Sequence, residues 1–474
     1  MKKKLLDRSA LSDLGKPLLV KEVKRLDKQN RRLTKKNKEL EERVRDLQAQ
    51  LDEYRKKLFK KSVVKPEEEQ PCAPRKKRGA PVGHPGTTRR RPEQVDEHVE
   101  VTLEKCPECG GTNLSRCKRH EDHYQEDIVL VRRKVTRYRH HLYYCSDCQK
   151  TVQGVGTDEM PGSYIGPLAK SVAGFLHYRM ALPYRKIRQL FHELFGLDFD
   201  PSSAPGFDRQ IRVRGAPLYE QLKESLPGKP FVHADETGWR SDAVSLWLYC
   251  FAALDAIVYL IDRSRGSKVI ESILGKKYAG VLISDFLAAY NRILCRKQRC
   301  LVHLLRLIKK YLVYFADDRK KTTYFLRLKR LIQDIVELSR RMEPGNLSEN
   351  FSIRKADLVA RLRRMLSSQF GHPKADKFLR KLNKHIDELV TCLDFAEVCA
   401  HNNWAERLLR PNVIMRKITF GNRSANGIQN HQVLMSLIET ARYRHLNPLT
   451  FLHQLLVDTP AAAAALIPNP AVMR

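Results

Sequence analysis

Two aspartates stand at the ends of apolar stretches, where they could hold a metal ion. Asp235 lies in FVHADETGWR, in which a buried strand is expected to end at two acids and a Thr-Gly turn. Asp285 ends YAGVLISD, a second predicted strand. Two carboxylates brought together in a dry site resist ionisation, and a divalent cation removes that conflict. Because Mg²⁺ prefers carboxylate oxygen, the sequence predicts a Mg²⁺ (or Mn²⁺) site completed by a third carboxylate from a later element.

Glu236 is the rival of Asp235 for this site. Successive side chains of a strand point to opposite faces of the sheet, so only one of the two neighbours faces the metal. The remaining acids of this region are predicted to lie in loops or turns: Asp242, Asp255 and Asp262.

Two Cys-x-x-Cys pairs predict a second kind of site, a structural zinc ion. The four predicted ligands are Cys106, Cys109, Cys145 and Cys148. Four thiolates match tetrahedral Zn²⁺ and leave no open position for chemistry. Three further residues remain alternative ligands: Cys117, His120 and His123. A redox role is disfavoured because a thioredoxin-like motif requires a βαβ context that the sequence lacks here.

The segment HNNWAERLLRP predicts a short helix that carries an acid. Asn402 and Asn403 are candidate caps, and Glu406 and Arg410 share one helix face. Three residues are expected to bury the opposite side: Trp404, Leu408 and Leu409. Pro411 is predicted to end or kink the helix. By itself, the Glu406–Arg410 pair would be an ordinary surface ion pair.

These motifs together resemble the insertion sequence 66 family of bacterial transposases, which has a DDE, ribonuclease-H-like catalytic core. The resemblance covers nearly the whole chain and rests on HADET, YAG followed by SDFLAAY, CLVH, and NNWAERLLRP followed by RK and F. It implies that Asp235, Asp285 and Glu406 are the catalytic, Mg²⁺-binding residues. The chain departs from the family pattern at His401, where an acid is frequent, and in LLRLIKK after CLVH, where an Arg-Arg pair is more usual.

The activity implied by the resemblance is DNA transposition. Two Mg²⁺ ions would activate water to cleave the element's ends, and the freed 3′-OH would attack target DNA without a covalent protein–DNA intermediate. Arg410, Arg416 and Lys417 are candidate phosphate contacts. Accessory proteins of the same element are possible partners. The alternatives are a non-catalytic DNA-binding regulator and a ribonuclease-H-like nuclease that cuts without strand transfer.

The N-terminal residues 1–62 are predicted to form a coiled coil. Leucines recur every seven residues at 19, 26, 33, 40 and 47, with Val23, Asn30, Asn37, Val44 and Leu51 four residues further on. A stripe held over about five heptads favours a coiled coil, and the two Asn favour a parallel homodimer. The alternative is a solvated helix with a fortuitous leucine stripe.

Residues 63–97 are predicted to be a flexible basic linker, in which Arg75, Lys76, Lys77 and Arg78 are candidate DNA contacts. Scattered Gly and Pro without acids favour an arm that follows the phosphate backbone, although a merely solvated linker has the same composition. Residues 98–157 would be the zinc module.

The rest of the chain is predicted to be a helical segment followed by a divided catalytic core. Residues 158–228 resemble a helix-turn-helix DNA-binding segment, although any small helical domain would give a similar pattern. The core is predicted in residues 229–303 and 396–445. A basic helical insertion, either a DNA clamp or a scaffold, occupies 304–395, and a C-terminal helix and tail occupy 446–474. The predicted fold class is multidomain α/β.

Composition supports a polyanionic partner. The chain has 474 residues and carries 88 Lys+Arg against 54 Asp+Glu, for a formal net charge of +34. Nucleic acid is the favoured partner, ahead of an anionic membrane surface. No uncharged apolar run of spanning length or signal peptide is recognisable, so a cytoplasmic protein is predicted. Its eleven cysteines are then predicted to be reduced.

Overall fold

The N-terminal element of the computed structural model is a 43-residue helix, α1 (Lys16–Leu58). Its apolar heptad residues are 46–61% exposed: Val23, Leu26, Leu33, Leu40 and Val44. Such a stripe is suited to packing against another helix, and the coiled-coil dimer stays a prediction. The structure describes residues 16–58, 133–139, 141–145, 147, 150–153, 160, 162–342 and 348–458. The chain divides into two compact units, residues 1–51 with 133–474 and residues 52–132.

A short antiparallel hairpin lies in the region of the predicted zinc module. Strand β1 (Leu142–Cys145) pairs with β2 (Lys150–Gln153), and Cys145 is the last residue of β1. The Cys145 side chain and the other predicted zinc ligands, Cys106, Cys109 and Cys148, lie outside the described residues. So does the basic stretch Arg75, Lys76, Lys77 and Arg78.

Three helices follow in the segment predicted to be DNA-binding: α2 (Pro167–Tyr178), α3 (Tyr184–Phe195) and α4 (Ala204–Ser225). Helix α3 ends at Gly196, whose φ of 62° is typical of the glycine that follows a helix. Helix α4 is the longest of the three, with 22 residues. Its apolar face, which includes Ile211 and Leu222, belongs to the same hydrophobic core as the sheet described next. The segment is therefore packed onto the core.

The centre of the fold is a five-stranded mixed sheet with the order β5-β4-β3-β6-β7. Its five strands are β3 (Phe231–Ser241), β4 (Val244–Ala253), β5 (Ala256–Asp262), β6 (Lys277–Ser284) and β7 (Leu294–Arg299). Helix α5 (Ser267–Leu274) connects β5 to β6. Strands β3, β4 and β5 are antiparallel neighbours, whereas β3, β6 and β7 run parallel. The fold is therefore a mixed α/β one.

Strand β3 does not end where the sequence predicted. It continues through Thr237 and Gly238, because these residues stay in register with Leu248 and Trp247 of β4. The turn comes later, at Asp242 and Ala243, where φ is 46° and 63°. Left-handed backbone at both turn residues is typical of the tight turns that suit the twist of a hairpin.

Five helices follow the sheet where the helical insertion was predicted: α6 (Leu301–Tyr314), α7 (Arg319–Arg340), α8 (Glu349–Leu366), α9 (Pro373–Lys384) and α10 (Ile386–Val390). Their apolar faces form a second core, which includes Phe325, Ile332 and Leu362. Phe231 and Ile283 of the central sheet join this core, so the insertion is packed directly against β3 and β6.

Three C-terminal helices return to the sheet: α11 (Asn403–Thr419), α12 (Ala425–Tyr443) and α13 (Pro448–Val457). Pro411 was predicted to end or kink the helix; it lies inside α11, so it does not end the helix. Helix α12 covers the edge strand β5. Its side chains accept the β5 N–H groups of Ile257, Tyr259 and Ile261 over 2.5–3.1 Å. An edge covered in this way cannot pair with another strand. Within the described residues, no helix is both long and apolar enough to cross a membrane.

Candidate active site

Asp235 and Asp285 each lie two residues beyond the last paired residues of the parallel strands β3 and β6. That pairing ends with His233 opposite Ile283. Neighbouring strands lie about 4.8 Å apart, so continuation of this register would bring the two aspartates to the same edge of the sheet. Asp285 directly follows the last residue of β6, and its Oδ1 accepts the Leu287 N–H over 2.8 Å.

Glu406 is brought to this edge by the first turn of α11. The residue that fixes this turn is Asn402, whose Nδ2 donates to the Ala234 carbonyl over 2.8 Å. Its Oδ1 is 2.9 Å from His233 Nδ1, and its backbone N–H donates to Cys300 Sγ over 3.2 Å. The sequence predicts Asn402 as a candidate helix cap. It does occupy the N-cap position, but its side chain bonds to β3 instead of capping α11.

The charges of the other acids act on Asp235. Burial is the main cause that raises the pKa of Asp235 to about 8, and the charges of Glu236, Asp285 and Glu406 contribute to the same shift in this order of importance. The backbone N–H of Glu236 opposes the shift only in part. A cation would bind favourably here, because its charge offsets both the burial penalty and the repulsion that favour the protonated form of Asp235. The donor set, carboxylate oxygens alone, fits Mg²⁺ or Mn²⁺.

Glu236 is already satisfied on the other face of the sheet. Its Oε1 lies 2.8 Å from Arg265 Nη2, and its Oε2 accepts the Tyr290 hydroxyl over 2.7 Å. The side chain is 1% exposed. An acid that is buried, ion-paired and hydrogen-bonded is a structural group, which leaves Asp235 as the strand's free carboxyl. Sequence reasoning missed both partners, because Arg265 and Tyr290 belong to separate loops.

Glu406 has a second set of neighbours on α6. His303 Nδ1 lies 3.6 Å from Glu406 Oε1, and Arg306 Nη2 lies 3.6 Å from Glu406 Oε2. Cys300, His303 and Glu406 place one ligand atom each within 4.8 Å of one another, a group able to hold a softer metal ion. Cys300 and His303 are three residues apart in the sequence, and no second pair of this kind follows them to signal a metal site. The third ligand atom comes instead from a distant helix, which no local spacing reveals.

The predicted phosphate contacts on α11 differ from one another. Arg410 and Lys417 are exposed. Arg416 is half-buried, and its Nη1 donates to the Gly238 carbonyl of β3. Arg416 thus helps to hold α11 against the strand. The expected surface pair of Glu406 with Arg410 is replaced by the pairing of Glu406 with His303 and Arg306.

The chain is similar to a known protein family over the region that contains this site. A family model described as "Transposase IS66 family" matches residues 162–430, more than half of the chain. The chain belongs to the IS66 family of transposases. Asp235, Asp285 and Glu406 all lie inside the matched range, whereas α1 and both cysteine pairs precede it. The resemblance inferred from the sequence motifs is confirmed, and membership of this family implies that the protein binds DNA.

Two curated relatives of this IS66-family transposase are uncharacterized proteins of Sinorhizobium fredii (strain NBRC 101917 / NGR234). The protein y4jD is 22% identical over 372 residues, which cover 70% of each chain. The protein y4jO is 32% identical over 82 residues, which cover 17% of this chain and 26% of y4jO.

Proposed function

We propose that this IS66-family protein cleaves phosphodiester bonds at the ends of an insertion sequence and joins the freed 3′-OH to target DNA. Asp235, Asp285 and Glu406 are its metal-binding carboxylates. The observation that carries the proposal is that the charges of Asp285 and Glu406 both act on the buried Asp235, whose strand is fastened by Asn402 to the helix of Glu406. The mixed sheet with helices packed around it supports a ribonuclease-H-like core.

The three carboxylates are suited to holding divalent cations. Two bound Mg²⁺ or Mn²⁺ ions would supply an activated water and stabilise the leaving 3′ oxygen. In the absence of cations Asp235 holds a proton, because its pKa is raised to about 8. Ligation therefore releases that proton and recruits the carboxylate.

Other residues of the chain position these acids and balance their charge. Asn402 fixes the first turn of α11 to β3 and so orients Glu406 toward Asp235. His303 and Arg306 lie beside Glu406, and the half-exposed Arg306 guanidinium is available for a DNA phosphate. The Arg306 guanidinium balances the charge of the Glu406 carboxylate while no metal is bound.

The decisive experiment compares Asp235→Asn with Asp242→Asn in divalent-metal-dependent cleavage of the element's terminal DNA. Asp242 lies on the same hairpin, and its φ of 46° is tolerated by asparagine. Asp235→Asn should bind DNA normally and lose cleavage and joining, whereas Asp242→Asn should retain all three. Cleavage by Asp235→Asn would refute the assignment. A wild-type protein that binds but never cuts would be a regulator, and one that cuts but cannot join a precut 3′ end would be a nuclease.

We further propose that α1 pairs two copies in a parallel coiled coil. The support is the exposed apolar stripe that includes Leu26, Leu33 and Leu40. Sedimentation should show a dimer for the wild type and a monomer for the double substitution Leu26→Ser, Leu33→Ser. A double variant that is still dimeric would rule out this interface.

A structural Zn²⁺ held by Cys106, Cys109, Cys145 and Cys148 remains our proposal for the module preceding the matched region. Cys145 stands at the end of a hairpin strand, a common setting for a zinc-binding pair. Metal analysis should find one equivalent of zinc, lost in Cys145→Ser. Retention of zinc by that variant would reassign the ligands to Cys117, His120 or His123.

A further inference from the structure

A surface cavity of about 390 Å³ opens near the far end of the β3–β4 hairpin. Its lining includes Gly238, Arg240, Ser245, Trp247, Arg416 and Phe420. We call it the hairpin slot. Gly238 lies opposite Trp247 in the strand register, so a bare stretch of backbone stands next to an indole ring. Two other aromatic residues line the slot, the buried Trp239 and the exposed Phe420, which ends α11.

Phe420 is held in an exposed position by an unusual backbone. It has a φ of 62°, a left-handed conformation that a bulky residue rarely adopts, and its side chain is 78% exposed. The next residue, Gly421, has a φ of 96°, and a Cβ there would come within 2.1 Å of the Arg240 carbonyl oxygen. A side chain at this position would therefore push the α11 terminus away from the hairpin.

Asn422 completes the fixation of this terminus. Its backbone N–H donates to the Arg240 carbonyl over 2.9 Å, and its carbonyl accepts the Asp242 N–H over 3.0 Å. Its Oδ1 accepts the indole N–H of the buried Trp239 over 2.7 Å. Strain that the surrounding structure maintains in this way is characteristic of functional positions, and here it presents an aromatic ring to solvent.

The chemistry of the slot suits a nucleobase. Its described lining combines three aromatic side chains with Arg240 and Arg416 and contains no acid. Arg265, whose charge is balanced by Glu236, lies over the Trp247 ring, 4.2 Å from its centroid. Aromatic faces stack on bases without sequence preference, and nearby arginines attract the phosphates that flank them.

We propose that the hairpin slot receives an unpaired base of the DNA held at the candidate active site, with Phe420 and Trp247 as stacking residues. This inference rests on the proposed function for the identity of the DNA. Gly238 is three residues beyond Asp235 on β3, about 10 Å at 3.3 Å per residue. The slot is lined from both faces of the hairpin, by Trp239 and Leu246 on the face of Asp235 and by Gly238 and Trp247 on the other. A base that stacks between its aromatic rings must leave the duplex stack.

The test measures binding of duplex DNA that carries one unpaired 2-aminopurine, compared with the same duplex fully paired. It is done in the Asp235→Asn background with Ca²⁺, so that it does not depend on cleavage. Phe420→Leu should weaken binding of the unpaired-base DNA about 10-fold, a typical loss for one base–aromatic stack, and leave paired DNA unaffected. Stacking should quench the 2-aminopurine fluorescence in the parent protein, and Phe420→Leu should abolish the quenching.

Three further variants make the result decisive. Phe420→Tyr should restore quenching because it keeps the aromatic ring. Trp247→Leu should reproduce the loss independently of the strained backbone at Phe420. Ile414→Ala removes another exposed apolar side chain from α11 and should change neither signal. The proposal would be overturned if Phe420→Leu weakened binding of paired and unpaired-base DNA equally. It would also be overturned if the substitution changed the oligomeric state and not the quenching. If Phe420→Leu abolished quenching but the wild type never cleaved DNA, the base-binding role of the slot would stand and only the catalytic function would be refuted.

Discussion

His233 Nδ1 and Asn402 Oδ1 lie 2.9 Å apart, although 169 residues separate them along the chain. Burial lowers the pKa of His233 to about 4, so the ring is neutral at physiological pH and donates its Nδ1–H to Asn402. The same Asn402 side chain donates to the Ala234 carbonyl. One buried amide thus joins the strand of Asp235 to the helix of Glu406, with the helical insertion between them in sequence.

Substitution of Asn402 is expected to damage both stability and the site. Asn402→Ala leaves His233 and the Ala234 carbonyl without partners in a fully buried location, which should cost about 2–4 kcal/mol. Cleavage should fall even at temperatures where the variant is folded, because Glu406 is no longer held against β3. Chemical denaturation and cleavage assays measure the two effects. The neighbouring Asn403→Ala is the control, and equal effects of the two substitutions would contradict the anchoring role of Asn402.

The sequence was sufficient for elements whose signal is local. Strand alternation placed Asp235 and Glu236 on opposite faces of β3, and Glu236 meets Arg265 and Tyr290 on its own face. The predicted turn at Gly238 and the predicted helix end at Pro411 were wrong, because local preference alone disfavours glycine inside strands and proline inside helices. Pairing with β4 carries β3 through Gly238. The burial of Leu408, Leu409 and Met415 carries α11 through Pro411.

The partners of the candidate acids could not be predicted for the same reason. Glu406 lies beside His303 and Arg306. Glu236 lies beside Arg265 and Tyr290. In both cases the partners come from elements that are distant from the acid in sequence. Residue type and spacing therefore identify which acids are candidates. Only the three-dimensional contacts distinguish an acid that is already neutralised from one left free for a metal.

Asp235 should make the metal-free protein less stable as pH rises. Its pKa is raised from 3.8 to about 8, so between these values the folded state holds a proton that the unfolded state has lost. Stability should fall across this window in the wild type relative to Asp235→Asn, by an amount on the order of a few kcal/mol near pH 8. Asp208, with a pKa raised to about 7 by burial, contributes equally to both proteins and cancels.

Urea denaturation in EDTA at about pH 5 and about pH 8 measures this difference, with Mg²⁺ as the second variable. Mg²⁺ should restore the stability of the wild type at the higher pH and have little effect on Asp235→Asn, because cation binding needs the ionised carboxylate. Parallel pH profiles of the two proteins in EDTA would show that Asp235 ionises normally and is not part of a carboxylate cluster.

Glu236→Gln should lower stability and keep cleavage, whereas Asp235→Asn should lose cleavage. The glutamine keeps an oxygen for the Tyr290 hydroxyl but removes the charge that balances Arg265, so stability should fall by about 1–3 kcal/mol. Metal-dependent cleavage should persist when the folded fraction is allowed for. Thermal unfolding and cleavage rates check the pair of variants. Loss of cleavage in a folded Glu236→Gln protein would make Glu236 the metal-binding acid instead.

Two glycines of α4 should respond to alanine with opposite signs. Gly215 is buried against α12, where an added Cβ would come within 2.4 Å of Leu437 Cδ1, and Leu437 is itself fully buried. Gly215→Ala should therefore destabilise the protein by about 1–3 kcal/mol through overpacking, in spite of the higher helix propensity of alanine.

Gly206 lies in the first turn of the same helix and has no atom within 4 Å of an added Cβ. Gly206→Ala should stabilise the protein by about 0.5–1 kcal/mol, since alanine loses less backbone entropy in a helix. Denaturant midpoints of the two variants give the comparison directly. The contrast depends on α4 being packed on the core through α12. If Gly215→Ala were also stabilising, α4 would not pack against Leu437 of α12, and the helical segment would be independent of the core.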